Sequence, residues 1–209
     1  MITSEMLSDI RALAVKFIAV KTLEQYTRQL RQYARDYYTG KIDDGAWLDK
    51  SLEAVTGQMG RAWREGIRSN GVEEMDEEMQ AQLDEIIKSE QDHLTNLADL
   101  INKQREADAG MDAINARVET WAARYTDVVN RAKLASSKNN WRFEWIYGDT
   151  EHCATCEKLN GTILKAWEWE ESEFHPQRPP NEMLDCGGWK CKCKLERTKK
   201  KRTGFPEGL

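Results

Sequence analysis

Cys153-Ala-Thr-Cys156 and Cys186-Gly-Gly-Trp-Lys-Cys191-Lys-Cys193 contain all five cysteines of the chain. A C-x-x-C spacing directs two thiolates from one tight turn into a common centre, and the second group offers two or three more. Zinc takes four soft ligands in a tetrahedron, and two knuckles distant in sequence supply that geometry. The pattern therefore predicts a structural Zn2+ site that closes a small module. Disulfides or free thiols compete with this reading, but an odd number of cysteines cannot form a fully paired secreted framework. A redox C-x-x-C normally opens a helix after a strand in a βαβ unit, and no such pattern surrounds Cys153.

Upstream of the knuckle, Trp141, Phe143, Trp145 and Tyr147 alternate with Arg142, Glu144 and Ile146. Period two in β-favouring residues predicts a strand with an aromatic inner face. Gly148-Asp149 turns it, a short helical turn follows to Leu159, and Asn160-Gly161 leads into a return strand at Thr162-Ile163-Leu164. Residues 165–185 read as an irregular loop, because His175-Pro176 and Pro179-Pro180 block helix and central strand alike. His175 is a spare ligand candidate, since the cysteines suffice without it. Five of the eight tryptophans lie between Trp141 and Trp189, so aromatic packing plus a metal would hold a module too small for a large core. Beyond Arg197 the chain is expected to be disordered.

Residues 4 to about 138 read as helix. Leu7, Ile10, Ala14 and Phe17 recur at helical spacing, and Thr22 with Gln25 has the form of a capping box. Leu23, Tyr26, Leu30, Tyr33 and Tyr37 continue the stripe to Gly40. Asp43 or Asp44 caps a second helix with an apolar face of Leu48, Leu52, Val55, Met59, Trp63 and Ile67. Gly57, Gly60 and Gly66 weaken it by about 1 kcal/mol each relative to alanine, and mark either close helix contact or a poorly ordered segment. A third segment, Val72 to about Ala107, carries Met75, Met79, Leu83, Ile87, Leu94, Leu97 and Ile101. A fourth, from Asp108–Asp112 to Asn139-Asn140, carries Met111, Ile114, Val118, Trp121, Tyr125 and Val128. Such stripes make a helix-on-helix core, although a narrow one on a long helix can be an assembly seam. His93, beside an acidic run, reads as a surface residue.

The expected fold is thus mainly α with a small α+β C-terminal module: long antiparallel helices at 1–140, a zinc-stapled, strand-containing domain at 141–196, and a basic tail at 197–209. Charged residues make up 32% of the chain, and mean hydropathy is −0.76. No apolar run approaches the ~18 residues that span a bilayer. No basic stretch followed by an apolar one marks a signal peptide, and a reducing compartment fits a thiol-metal site. The net charge of −5 conceals an asymmetry. Lys190 to Arg202 holds eight basic residues against Glu196 alone, whereas Gly71 to Asp92 holds nine acids against Lys88 alone. Acidic helices repel nucleic acid, and a basic tail attracts it.

The C-terminal residues resemble a known family. Trp145, the run Gly148-Asp149-Thr-Glu-His-Cys153-Ala-Thr-Cys156-Glu-Lys-Leu159-Asn-Gly161, then Pro179-Pro180 and Cys191-Lys-Cys193-Lys-Leu are similar to the phage Mu F-like minor head protein domain. The resemblance covers residues 141 to 196. Where that family commonly has a histidine before its final Cys-x-Cys, this chain has Gly188-Trp189-Lys190. Cys186 can take the histidine's place as a ligand. Alternatively Cys153, Cys156, Cys191 and Cys193 bind the metal and Cys186 is spare. In a strand, residues i and i+2 project to one face, which permits Cys191 and Cys193 both to ligate. That set is favoured, with Cys186 as the alternate.

The resemblance implies a virion component in few copies, in the head interior or at the portal, present in the host cytoplasm during assembly. It implies partners among the portal, major capsid or scaffold proteins, a role in head morphogenesis or genome delivery, and no enzyme activity. Packaged DNA is a further candidate partner through Lys194, Arg197, Lys199, Lys200, Lys201 and Arg202, by non-specific, salt-dependent phosphate contact; the alternative is that the basic run is only a solubilising terminus. The competing class is a zinc-ribbon nucleic-acid-binding regulator. The knuckles, aromatics and basic cluster favour it. The acidic helices, and the lack of a recognition helix after the metal site, oppose it.

Overall fold

The amphipathic stripes fold into helices that bury one face each. The computed structural model describes residues 23–149, 151–189 and 191–209. The stripe from Leu7 to Phe17, the capping residue Thr22, and Lys190 lie outside them. Helix α1 (Leu23–Tyr38) buries Tyr26, Leu30, Ala34 and Tyr37. Gly40 turns the chain at a φ of 73°, a left-handed conformation that costs glycine little. Helix α2 (Asp44–Ser69) starts where the Asp43 carboxylate accepts the Ala46 N–H at 2.8 Å. Helix α3 (Glu77–Glu106) starts in the same way, with Asp76 accepting from Met79 N at 2.8 Å. This cap sets the helix start after Met75 rather than at Val72.

The fourth predicted helix is two: α4 (Asp112–Ala122) and α5 (Tyr125–Ala135). The break lets two neighbouring side chains reach the same buried carboxylate. Trp121 Nε1 donates to Glu90, and Arg124 Nη2 pairs with it at 3.0 Å. Glu90 is 0% exposed, so these partners replace its hydration. His93 is half-buried, with Nε2 2.6 Å from Arg124 Nη1, not the surface histidine expected.

Tyr37 and Trp47 stack at 5.7 Å, and Trp47, Trp63, Met59, Leu94 and Ile101 are fully buried between the helices. Leu23 and Leu48, read as core positions, are 41% exposed. Of Gly57, Gly60 and Gly66, only Gly66 meets a neighbouring helix. A Cβ there would fall 2.5 Å from both Ala132 Cβ and Val129 O of α5. The close approach of α2 and α5 therefore depends on that missing methyl.

The C-terminal module is a three-stranded antiparallel sheet in the order β2-β1-β3 with two short helices. The central strand β1 (Arg142–Ile146) buries Phe143 and Trp145 and leaves alternate residues half-exposed, as period two requires. After α6 (Ala154–Leu159), β2 (Ile163–Lys165) pairs Phe143 with Leu164. Strand β3 (Lys194–Thr198) pairs Trp145 with Leu195.

Two expectations need correction here. The supposed loop after residue 165 begins as a helix, α7 (Ala166–Glu171), which buries Trp169. Its N-terminus is held by Glu168, whose carboxylate accepts Lys165 N at 2.8 Å. The prolines that suggested irregularity act only downstream. The stretch expected to be disordered beyond Arg197 is instead laid along the sheet. Thr203 N donates to Ile163 O at 3.0 Å, and Phe205 packs on Trp169 and Phe174. Positive charge alone could not forecast this, because the ordering comes from a strand edge and an aromatic pocket far away in sequence.

Helix α5 joins the two regions. Its Leu134 belongs to the module's apolar cluster, whereas Val128, Val129 and Ala132 belong to the helical one. Lys133 Nζ donates to Leu195 O at 3.2 Å, and Arg178 pairs with buried Asp127 at 3.0 Å.

Candidate metal centre

The first knuckle is the start of α6. Cys153 is the residue before the helix, in extended backbone, and Cys156 lies within the first turn. The helix start is pinned from the second cysteine segment. Asp185 accepts from Thr155 N at 2.9 Å and from Thr155 Oγ1 at 2.7 Å. These bonds hold the Asp185 carboxyl below its usual range. They also carry the adjacent Cys186 toward Cys153.

The other wall is a close backbone approach. A Cβ on Gly148 would lie 2.1 Å from Lys192 O, so only glycine lets the turn after β1 reach the Cys191–Cys193 segment. Cys193 is fully buried, and its carbonyl accepts from Gln177 Nε2 at 2.8 Å.

The five thiols meet as two groups of three: Cys153, Cys156 and Cys186, and Cys156, Cys191 and Cys193. Within each group the sulfurs lie within 4.8 Å of one another, and Cys156 is common to both. Cys156 Sγ and Cys191 Sγ are 3.9 Å apart. The edge of a tetrahedron with Zn–S bonds of about 2.3 Å is about 3.8 Å. These groups could hold a metal ion. The favoured tetrad of Cys153, Cys156, Cys191 and Cys193 spans both groups, and the alternate Cys186 completes the first. Cys191 and Cys193 precede β3 rather than lying in a strand, and the Cys193 N–H points at Cys191 Sγ at 3.4 Å.

Crowding splits the proton affinities of the thiols. Hydrogen bonds from Cys156 and Cys191 pull Cys193 down to about 2, whereas Cys156 is pushed up as donor to those two neighbours. A bound cation would favour the ionised form of all these thiols together.

His152 was missed by the sequence reading. Its ring stacks on Tyr147 with centroids 3.8 Å apart, and its Nδ1 is 3.7 Å from Cys193 Sγ. Its place immediately before a ligand candidate was the available signal. His175, the spare candidate, is in neither thiol group. It is buried in a cleft of about 730 Å³ between α3, α5 and the proline segment, beside Arg131 and Arg178. Burial lowers its pKa to about 3, with help from those two cations.

The basic residues proposed for DNA contact are mostly engaged. Lys194 pairs with Glu196, Lys200 with Glu144 at 2.7 Å, and Arg202 grips Glu168 through two nitrogens. Arg197 lies 3.3 Å over the Trp141 ring. Lys199 and Lys201 are exposed. Among the described residues, no helix is long and apolar enough to cross a membrane.

No family model matches the chain, and neither curated proteins nor solved structures yield a match.

Proposed function

We propose that this chain is a structural assembly protein whose C-terminal module is stapled by zinc, and that it serves as a minor head protein of a tailed phage or prophage. The observation that carries the metal part is the meeting of thiols from residues 153–156 and 186–193, in the segments that follow β1 and precede β3. All-sulfur donor sets suit zinc, and a closed thiolate site is structural rather than catalytic. Its work is to hold a module whose apolar cluster is small. The head-protein part rests on the resemblance of residues 141 to 196 to the Mu F-like domain. In that role the chain acts at the portal or inner capsid surface, in head morphogenesis or genome delivery, and performs no catalysis.

The tail gives little support to the alternative of a zinc-ribbon regulator. Salt bridges to Glu144, Glu168 and Glu196 occupy three of the six candidate DNA-contact cations, so less charge is free to release counterions from DNA.

The test has two arms. Purified protein should contain zinc, and less than half an equivalent with intact thiols would sink the metal claim. Co-expressed with portal, scaffold and capsid proteins of its own genome, the chain should co-sediment with portal or heads. Its preference for any duplex sequence should stay far below the ~10³ ratio of a specific regulator. Failure to co-sediment, with sequence-specific DNA binding instead, would favour the regulator.

A further inference from the structure

The thiol cluster is larger than one ion requires. A tetrahedral ion takes at most four donors, and here five sulfurs divide into two triads that share a single vertex. An ion held by Cys156, Cys191 and Cys193 leaves Cys153 and Cys186 beside it. An ion held by Cys153, Cys156 and Cys186 leaves Cys191 and Cys193. The shared residue is also the right one to serve both sides: Cys156 is 1% exposed and lies between them.

We infer that the module binds two divalent, thiophilic metal ions, with the Cys156 thiolate bridging them. The inference rests on the metal reading above and deepens it. The inner ion takes Cys156, Cys191 and Cys193, of which the first and last are buried; the outer ion takes Cys153, Cys156 and Cys186, of which the first and last are half-exposed. Each triad leaves one coordination position for water or another donor. Two divalent ions on five thiolates leave one net negative charge, whereas one ion on four thiolates leaves two and a spare thiol. His152 stands just outside the inner triad, its Nδ1 3.7 Å from Cys193 Sγ and its ring stacked on Tyr147. The difference in burial makes the outer ion the exchangeable one.

The experiment is metal counting on the intact chain, purified without chelators under anaerobic conditions. Native mass spectrometry should find two zinc ions. Replacement by cadmium-113 should give two thiolate-type resonances coupled to each other through the shared sulfur. A maleimide should label none of the five cysteines in the loaded protein. Cys186→Ser should lower the count from two to one and abolish the coupling. Since that variant alters only the half-exposed triad, the inner ion and the tryptophan near-ultraviolet signal should persist. One ion in the unaltered chain, with one or two thiols open to maleimide, would overturn the two-ion inference and leave the single-site reading standing. No metal at all would overturn both. Two ions retained in Cys186→Ser would overturn the outer ligand set, and two uncoupled cadmium signals would remove the bridge.

Discussion

The helical region and the C-terminal module solve the same problem with different materials. Among the described residues, 22 apolar side chains are buried in one cluster between the helices, Trp47, Trp63 and Trp121 among them. In the module the buried cluster has 12 members, two of which are cysteines, and three more cysteines border it. An apolar cluster gains stability in proportion to area, at roughly 25 cal/mol per Å². A thiol cluster gains little from area and much from an ion, with apparent values of about 10–16 kcal/mol in small zinc modules. One region should therefore be insensitive to chelation, and the other should depend on it.

The largest expected effect follows directly. Cys156→Ser, or exhaustive chelation, should collapse the near-ultraviolet circular dichroism of Trp145 and Trp169 while most of the helical far-ultraviolet signal remains. Cys156 is chosen because it belongs to both triads; Cys153→Ser should act in the same direction with a smaller loss. An unchanged near-ultraviolet spectrum after complete metal removal would erase the contrast between the regions.

The reciprocal change comes next in size. Trp63 is fully buried among the helices. Trp63→Ala should cost about 3–5 kcal/mol, measured by urea denaturation followed through helicity, with zinc content unchanged. If zinc were lost in parallel, the two regions would be one cooperative unit and the contrast would need restating.

Between these extremes lies the joint itself. Arg178, from the proline segment, pairs with Asp127 of α5, whose side chain is 2% exposed. Removing one partner of a buried pair typically costs 3–5 kcal/mol. Asp127 keeps Arg131 at 3.2 Å, however, so Arg178→Met should cost only about 2 kcal/mol. Its signature should be separation of the two melting transitions rather than a shift of either alone. A single unshifted transition would show that the pair does not couple the regions.

How much of this was readable beforehand follows the same division. Local signals were legible: the cap at Asp43, one of the two aspartates offered for it, the alternation at Phe143 and Trp145, and the strand after Asn160-Gly161. The convergence of the cysteines was legible too, since their spacing encodes a shared centre. Contacts distant in sequence were not. The division into two triads depends on Asp185 gripping Thr155, and on Gly148 lying against Lys192. The order of the tail depends on Phe205 finding Trp169. The break between α4 and α5 depends on a carboxylate thirty-odd residues upstream, at Glu90. Each is a tertiary choice that overrides a uniform local pattern.

The smallest predicted effect probes the cleft at the joint. Burial, with Arg178 and Arg131 nearby, lowers the His175 pKa to about 3, whereas in the unfolded chain it returns to about 6.5. Between these values the unfolded state binds the extra proton, so stability rises with pH through that window. It is fully present above pH 6.5 and declines as pH falls, by roughly 1.4 kcal/mol at pH 5.5. His93, also lowered by burial and by Arg124, adds a term of the same sign. His175→Gln should therefore flatten the pH dependence of urea denaturation between pH 7 and 5.5 without abolishing it. The comparison must be made at constant metal loading, because any thiolate ligands would also take up protons as the pH falls. If the variant and the parent kept parallel slopes across that range, His175 would be solvated in the folded state rather than buried against α3, α5 and the proline segment.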